Sequence, residues 1–489
     1  MALGLESGKT QKAAISWHNI CALGSNFLEG SQSGMRSKLA VQVDLERDAQ
    51  FDKAFEFLST LVDLKEADRL HPVRENAVYT SSVVLWMLVY QRMNPDASLE
   101  AAVKKLIDSK PNFLPDNKRV REGTLSTNTS TYSQARSRLP TEAAEWFANQ
   151  VSQSLIAATT PTLGDRRVFM IDGTTIKLAP VEELRKRFPP ASNQHGPSVF
   201  PIALLTVAHE LASGVALIPE VGAMNGANAV SETSLIRDLL QQMPTNSVVM
   251  ADIAFGIFSV AHDISLAGHS FCLRLNKQRF EALKRTAPLV ATGNNFKVWS
   301  YHWQPSRYDR RGHPNLPKDA ALEVRVHEIV VNETLTLMLV TDLTEDSTVL
   351  ADLYRRRVDV EVDIRNLKVV LDTENIRARS VPMFFKELLT SIVSYNLVTQ
   401  FRRQAAELVN EPPRRMSFKR TWTTFRQFLL PAMYTDAIHW RTRYDTALRY
   451  AMLDKLPNRP GRTFEREAYR RPAKAIRFKR RFPKIEPEK

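Results

Sequence analysis

The chain has 489 residues, 43% of them hydrophobic, enough to bury a full core and to divide into two to four domains. Its 67 Lys and Arg against 53 Asp and Glu leave a net charge of +14, the sign expected of a protein that meets a polyanion, although a solvated basic surface carries the same balance. Two cysteines, Cys21 and Cys272, exclude a disulfide framework and a thiolate metal cluster; no apolar run approaches the ~18 residues of a membrane span and the first residues lack a signal pattern, so a cytoplasmic protein is expected.

In chain order, Gly4 to Thr10 looks like a phosphate-binding loop but is discarded, because the loop needs four residues between its glycines and a strand before it. Residues 1–165 read as a helical N-terminal domain with a DNA-binding role, with stretches such as 51–64 and 83–90 joined by polar connectors. Residues 126–139 predict a capped helix with arginines on its exposed side, facing either phosphates or solvent.

The texture changes at Arg167. Val168-Phe169-Met170-Ile171 reads as a buried strand with Asp172 at its mouth. Strands near 199–209 and 215–221 follow, joined by the hairpin connection Ala212-Ser213-Gly214. Ser231 and Glu232 then open an amphipathic helix to about Gln242, and Val248-Val249-Met250-Ala251 repeats the apolar run that ends in a carboxylate, here Asp252. A helix from near Phe255 and a strand over 270–275, holding Cys272 as core, complete the series. The order strand, strand, strand, helix, strand, helix, strand, with carboxylates ending the first and fourth strands, is that of a ribonuclease H-like mixed sheet in an α/β protein.

Short β-like runs at 296–303, 322–331 and 334–341, with a Pro/Gly/Arg-rich loop at 305–317, read as a β-rich insertion. Asp342 also follows an apolar run, but an N-cap or loop role suits it better. His262, His269, His302 and His327 lack metal-ligand spacing and are assigned structural roles. A long helix over 350–371 and an apolar one over 382–404 come next, and the chain turns basic and aromatic from Pro412, most densely at 470–484, which would bind phosphates or serve as a solubilising tail. The domain boundaries predicted are 1–165, a catalytic core split between 166–279 and 346–410 by the insertion at 280–345, and a basic C-terminal region at 411–489.

On the long helix, Tyr354, Arg357, Glu361 and Lys368 fall within an arc of roughly 60°. Val358, Val362 and Val369 flank this strip on one side, and Leu353, Val360, Ile364, Leu367 and Leu371 on the other, while Arg355, Arg356, Asp359 and Asp363 are predicted to face solvent. Taken alone, Arg357 and Glu361 could be an ordinary surface pair worth a few tenths of a kcal/mol. With two Asp-ended strands, phosphoryl transfer explains why these groups belong together: in-line attack on a phosphodiester uses two divalent ions, and hard ions such as Mg²⁺ take oxygen ligands. Asp172, Asp252 and Glu361 then make the cage, Arg357 and Lys368 hold phosphates, and Tyr354 donates to phosphate or stacks.

The spacing Tyr-x2-Arg-x3-Glu-x6-Lys over 354–368 resembles the signature of the IS-four class of bacterial insertion-sequence DDE transposases. Similar to that family as well are Asp172-Gly173-Thr174, Asp252-Ile253-Ala254-Phe255-Gly256, Leu339-Val340-Thr341-Asp342-Leu343, Phe385-Lys386-Glu387-Leu388-Leu389 and Tyr395-Asn396-Leu397, so the resemblance spans about 125–405. One departure is Val358, where the family often has Trp.

The resemblance implies a ribonuclease H-like catalytic core with a β-rich insertion between the second Asp and the Glu, and the phosphoryl-transfer chemistry calls for two Mg²⁺ ions, replaceable by Mn²⁺. The resemblance also implies cleavage of double-stranded DNA at terminal inverted repeats, often through a hairpin, and strand transfer into target DNA by a homodimer on nucleoid DNA. Trp299 and Trp303 in the insertion are candidates for stacking on a flipped base, although a β-domain Trp is more often core. A catalytically inactive DNA-binding derivative and a nuclease on the same core are the competing readings.

Overall fold

The computed structural model describes residues 38–94, 98–109, 114–194, 196–429 and 437–457. Cys21, the Gly4 to Thr10 stretch and the basic run at 470–484 lie outside the described residues.

Five strands form the centre of the sheet: β1 (Val168–Lys177), β2 (Ile202–Glu210), β3 (Glu220–Ala223), β4 (Val248–Ala251) and β5 (Ser270–Arg274). They lie in the order β3-β2-β1-β4-β5, with β1 antiparallel to β2 and parallel to β4, and β4 parallel to β5. The turn between β2 and the following segment is the predicted hairpin; Gly214 takes a left-handed φ of +83° there and Glu210 accepts the Ser213 amide at 2.7 Å. The strand predicted at 215–221 is reduced to a bridge at Ala216 before β3 begins at Glu220.

The insertion supplies β6 (Leu289–Thr292), β7 (Phe296–Trp303), β8 (Leu322–Asn332) and β9 (Leu335–Thr341), and β9 pairs antiparallel with β5. The insertion therefore continues the central sheet to 9 strands. Asp342 serves this junction: its Oδ1 accepts the Phe271 amide at 2.8 Å, so it satisfies a backbone donor on β5 and caps no helix. The Pro/Gly/Arg-rich loop contains a short helix, Arg307–Gly312, opened by a capping box between Ser306 and Asp309.

Alternation along the strands assigns the two faces. Val168, Met170, Val248, Met250 and Cys272 project to one side, where Leu350, Leu353, Tyr354 and Val360 cover them. Phe169, Ile171, Val249, Ala251 and Phe271 project to the other, into a larger core shared with the N-terminal helices. Those helices include α1 (Lys38–Leu61), α2 (Ser81–Met93), α3 (Leu99–Ser109), α4 (Ser130–Arg138) and α5 (Thr141–Ala157). The helix predicted at 126–139 is α4, but only Arg138 stays exposed: Arg136 is drawn inward to Glu387 at 2.9 Å.

The helix Val381–Glu407 is buried on almost every side and binds the layers together. Its Lys386 donates to the carbonyls of Arg136, Ser137 and Leu139, closing the C-terminus of α4 where unpaired carbonyls and the helix dipole favour a cation. Asn396 accepts the Ala216 amide at 2.9 Å and donates to the Ala216 carbonyl at 2.8 Å, and Tyr395 donates to the Gly214 carbonyl at 3.0 Å. The two sequence motifs quoted from this helix thus carry contacts that hold it to α4 and to the β2 corner.

One buried histidine sets a pH response. His327 on β8 is 2% exposed, with Nδ1 against the Ser347 hydroxyl at 2.9 Å, and burial followed by the Arg325 charge lowers its pKa from 6.5 to about 4. Because the unfolded chain takes the proton first, the stability from the neutral ring is complete above pH 6.5 and lost as pH falls toward 4. Urea unfolding across that interval should show His327→Gln with a flatter acid limb than the wild type; identical limbs would remove His327 as the titrating group.

Candidate active site

The two aspartates are aligned by strand register. In the parallel pair, Val168 lies opposite Val248 and Met170 opposite Met250. Two residues further on each chain stand Asp172 and Asp252, level with one another on neighbouring strands and on the face covered by Leu353 and Tyr354. Asp172 does not end its strand as predicted. β1 runs on to Lys177 because β2 continues to pair with it, and only its pairing with β4 stops at Met170. Asp172 therefore sits at a notch where one neighbour has ended and the other has not.

After Asp252 the chain turns sharply. Asp252 Oδ1 accepts the Ala254 amide at 2.9 Å, and Arg279 donates to the carbonyls of Ile253 and Gly256 at 3.1 and 3.3 Å. Gly256 is required by close approach, since a Cβ there would lie 2.1 Å from the Arg274 carbonyl oxygen.

The third carboxylate comes from a helix that the structure breaks. The predicted single helix is divided into Ser347–Arg355 and Val358–Arg365, followed by a wider π turn over Asn366–Val370. Across the break the amides of Arg356, Arg357, Asp359 and Val360 bond three residues back, to Leu353, Tyr354, Arg356 and Arg357. Such tight turns advance about 120° per residue against 100° in an α-helix, so the faces read from a continuous wheel rotate.

Two consequences correct the expectation. Asp363 is fully buried and Asp359 partly so, both paired with Arg414 of the C-terminal segment, and Arg356 donates to the Leu211 carbonyl at 3.1 Å; of the four residues predicted to face solvent, only Arg355 is exposed. Val358, Val362 and Val369, predicted as an apolar flank, are 54, 50 and 60% exposed.

The signature strip nonetheless runs along β1. Arg357 lies between two carboxylates, 3.6 Å from Asp172 and 3.0 Å from Glu361. Lys368 donates to Thr174 Oγ1 and the Thr175 carbonyl at 3.3 and 3.0 Å, and pairs with Glu374 at 3.3 Å. Tyr354 is turned into the core, and its buried hydroxyl has no partner among the described residues.

Sequence reading missed Glu232. It opens the short 3-10 helix Glu232–Leu235, and a Cβ at Gly173 would lie 1.7 Å from its Oε2, so the Glu232 carboxylate rests directly over the residue after Asp172. Burial raises its pKa, and the nearby Asp252 and Asp172 raise it further. Asp172 is raised as well: burial outweighs the Gly173 amide at 2.8 Å and the Arg357 guanidinium, and Asp252 and Glu361 add to the shift. The only sequence signal was Glu232 at a helix start; its distance from β1 is set by the crossover between β3 and β4.

Carboxylate oxygens thus outnumber cations around Asp172, where the Arg357 guanidinium meets two of the acids. Among the described residues no three carboxylates converge as a metal-binding group. Their oxygen donors are of the type that a hard divalent ion takes.

Trp299 and Trp303 do not join the site. They are 7 and 6% exposed and meet Phe280 and Phe258 edge-on, so neither presents a face for stacking on a base. The alternation of β7 directs both to the side where α-helical aromatics await them.

No helix among the described residues is long and apolar enough to cross a membrane. No curated protein matches the chain. Residues 163–397, which hold Asp172, Asp252 and Glu361, match the family of the transposase DDE domain, and the match supports a DDE transposase, a DNA-binding enzyme of metal-dependent chemistry.

Proposed function

We propose that the protein is a cut-and-paste DNA transposase of the IS-four insertion-sequence class, which cleaves double-stranded DNA at the terminal inverted repeats of its element and joins the freed ends to target DNA. The observation that carries this reading is the level placement of Asp172 and Asp252 on adjacent parallel strands, with Glu361 linked to Asp172 through Arg357, all within the matched domain.

Asp172, Asp252 and Glu361 are the residues that would hold two Mg²⁺ ions, or Mn²⁺ in their place. When bound, the ions activate the attacking water or 3′-hydroxyl and stabilise the departing oxygen of the phosphodiester. Arg357 and Lys368 are the cations that hold the phosphates flanking the scissile bond, Arg357 in two-point fashion and Lys368 as a point charge. Tyr354, expected to donate to phosphate or stack, is buried with its hydroxyl in the core, so it supports this strip by packing and does not touch the substrate. The net charge of +14 favours the polyanion in general, and a homodimer would pair two ends on nucleoid DNA in the cytoplasm.

The test is incubation of the full chain with labelled DNA bearing the inverted repeats that flank its coding sequence, with Mg²⁺ and with EDTA. Cleavage at the repeat ends followed by joining to a target plasmid, both abolished by EDTA, is the expected result. Cleavage without joining would leave a nuclease on the same core, and binding without cleavage would leave an inactive DNA-binding derivative.

A further inference from the structure

Away from the carboxylates, a cavity of about 430 Å³ opens between α2, α4 and the segment that leads into the helix Val381–Glu407. Arg92, Arg136, Arg377 and Arg379 line it against a single carboxylate, Glu387. Both oxygens of Glu387 are already engaged: Oε1 accepts Arg136 at 2.9 Å, and Oε2 accepts the Arg377 amide at 3.1 Å. The lining thus holds more guanidinium charge than Glu387 can balance.

Arg92 has the weakest hold on that carboxylate. It is 7% exposed, its Nη2 lies 4.0 Å from Glu387 Oε2, and its Nη1, like Arg136 Nε, has no hydrogen-bond partner among the described residues. Burial lowers the pKa of Arg92; Glu387 and Asp372 act against this, and Arg377 and Arg136 add to it. A buried guanidinium at the margin of a shared carboxylate is destabilising until a further anion completes its shell. Arg377 and Arg379, by contrast, stand exposed at the rim, where an anion would enter.

The adjoining cavity, about 630 Å³, points to the kind of anion. Thr175, Lys177 and Lys368 line it, and Arg377 lines both cavities. Lys368 is fastened to Thr174 and Thr175 of β1, the strand that carries Asp172, so the two hollows lead away from that strand in series. Cations set along consecutive hollows suit a polymer of phosphates, in which each group carries one charge and offers two free oxygens to a guanidinium.

We propose that the arginine cavity seats a backbone phosphate of the bound DNA, on the strand that passes Lys368, so that α2 and α4 of the N-terminal region clamp the substrate. This rests on the reading of the chain as a DNA-binding transposase and is independent of which carboxylates hold metal. It differs from a purely structural joint, in which the arginines would only fasten α2 and α4 to the helix Val381–Glu407.

The experiment is binding of the full chain to labelled inverted-repeat DNA over a range of salt concentrations, alongside thermal unfolding. Arg92→Met keeps the bulk and removes the charge; it is expected to weaken binding about 10-fold and to lower the salt slope by about one phosphate contact. Its Tm should equal or exceed the wild-type value, because a weakly paired buried charge is gone. Arg379→Ala, at the exposed rim, should weaken binding a few fold at unchanged Tm. In duplexes carrying one methylphosphonate at a time, one position should reduce wild-type affinity and leave that of both variants unchanged.

Wild-type DNA affinity and salt slope in both variants would overturn the proposal, and a lowered Tm of Arg92→Met in that case would mark the arginines as a structural joint. Unchanged DNA affinity with a wild-type Tm raised by inorganic phosphate, an effect lost in Arg92→Met, would overturn it in favour of a free-ion site. If Arg92→Met does not fold, Arg379→Ala and the methylphosphonate scan decide. A wild type that binds no DNA would sink the transposase reading as well, whereas a wild type that binds and cleaves beside two unaffected variants removes the phosphate seat alone.

Discussion

Alanine at Asp172, Asp252 or Glu361, one at a time, is expected to lower Mg²⁺-dependent cleavage of inverted-repeat DNA by on the order of 10³-fold or more, with DNA affinity changed only a few fold. Each carboxylate would help to hold the cations that stabilise the charge developing in phosphoryl transfer, whereas DNA affinity is spread over many phosphate contacts. A second reading of the same variants separates chemistry from folding. The pKa of Asp172 is raised by its burial and by neighbouring carboxylates, so its ionised form is disfavoured in the folded chain. An acid with a raised folded pKa makes the protein lose stability as pH rises above the ordinary carboxylate value of 3.8, and the loss is complete above the folded value. Asp172→Asn should therefore be at least as stable as the wild type in EDTA at neutral pH while failing to cleave. A variant that loses activity only because it unfolds, or one that retains wild-type cleavage, would sink the assignment.

Arg414→Ala should be the most destabilising single change in the C-terminal segment, by about 3–5 kcal/mol in urea unfolding. Arg414 donates to both carboxylate oxygens of Asp363 at 3.1 and 2.8 Å and to the Leu211 carbonyl at 2.8 Å, and lies 3.5 Å from Asp359. Asp363 is fully buried, so removal of Arg414 takes its two-point partner from a charge closed off from solvent and leaves it Tyr395 and the more distant His209 and Arg402. Replacing the pair together, Arg414→Met with Asp363→Leu, should recover part of the loss, because the fully buried Asp363 charge is removed along with its partner, while Asp359 still loses Arg414. Wild-type stability in Arg414→Ala would show that Arg402 or water takes over. The clamp bears on function as well as stability: Asp363 is two residues beyond Glu361, and Arg414 fastens that helix to the corner after β2.

Much of this was legible in the sequence because it depends on local pattern. Four-residue apolar runs ending in Asp172 and Asp252 mark buried strands with a polar exit, and the strand and helix order was readable from turn residues and periodicity. The Arg357 and Glu361 pair was readable from a spacing of four. The long helix was misread in phase, since the shift comes from a few backbone bonds made three residues back, which no side-chain pattern records. Trp299 and Trp303 show the same limit: their types suit either a stacking platform or a core, and only the presence of Phe280 and Phe258 across the gap decides it.

The sequence by itself determined where most of the strands and helices lie and which carboxylates follow a buried run, because backbone preference and hydrophobic alternation act over a few residues. Tertiary structure alone decided the register that levels Asp172 with Asp252, the addition of the insertion to the edge of the sheet, the burial of Asp363 under Arg414 and the return of Glu232 over Gly173. The physical reason is common to all four. Each depends on contacts between segments distant in the chain, where pairing is settled by hydrogen-bond partners and by the cost of a buried charge left alone, and neither is written in a local stretch of residues.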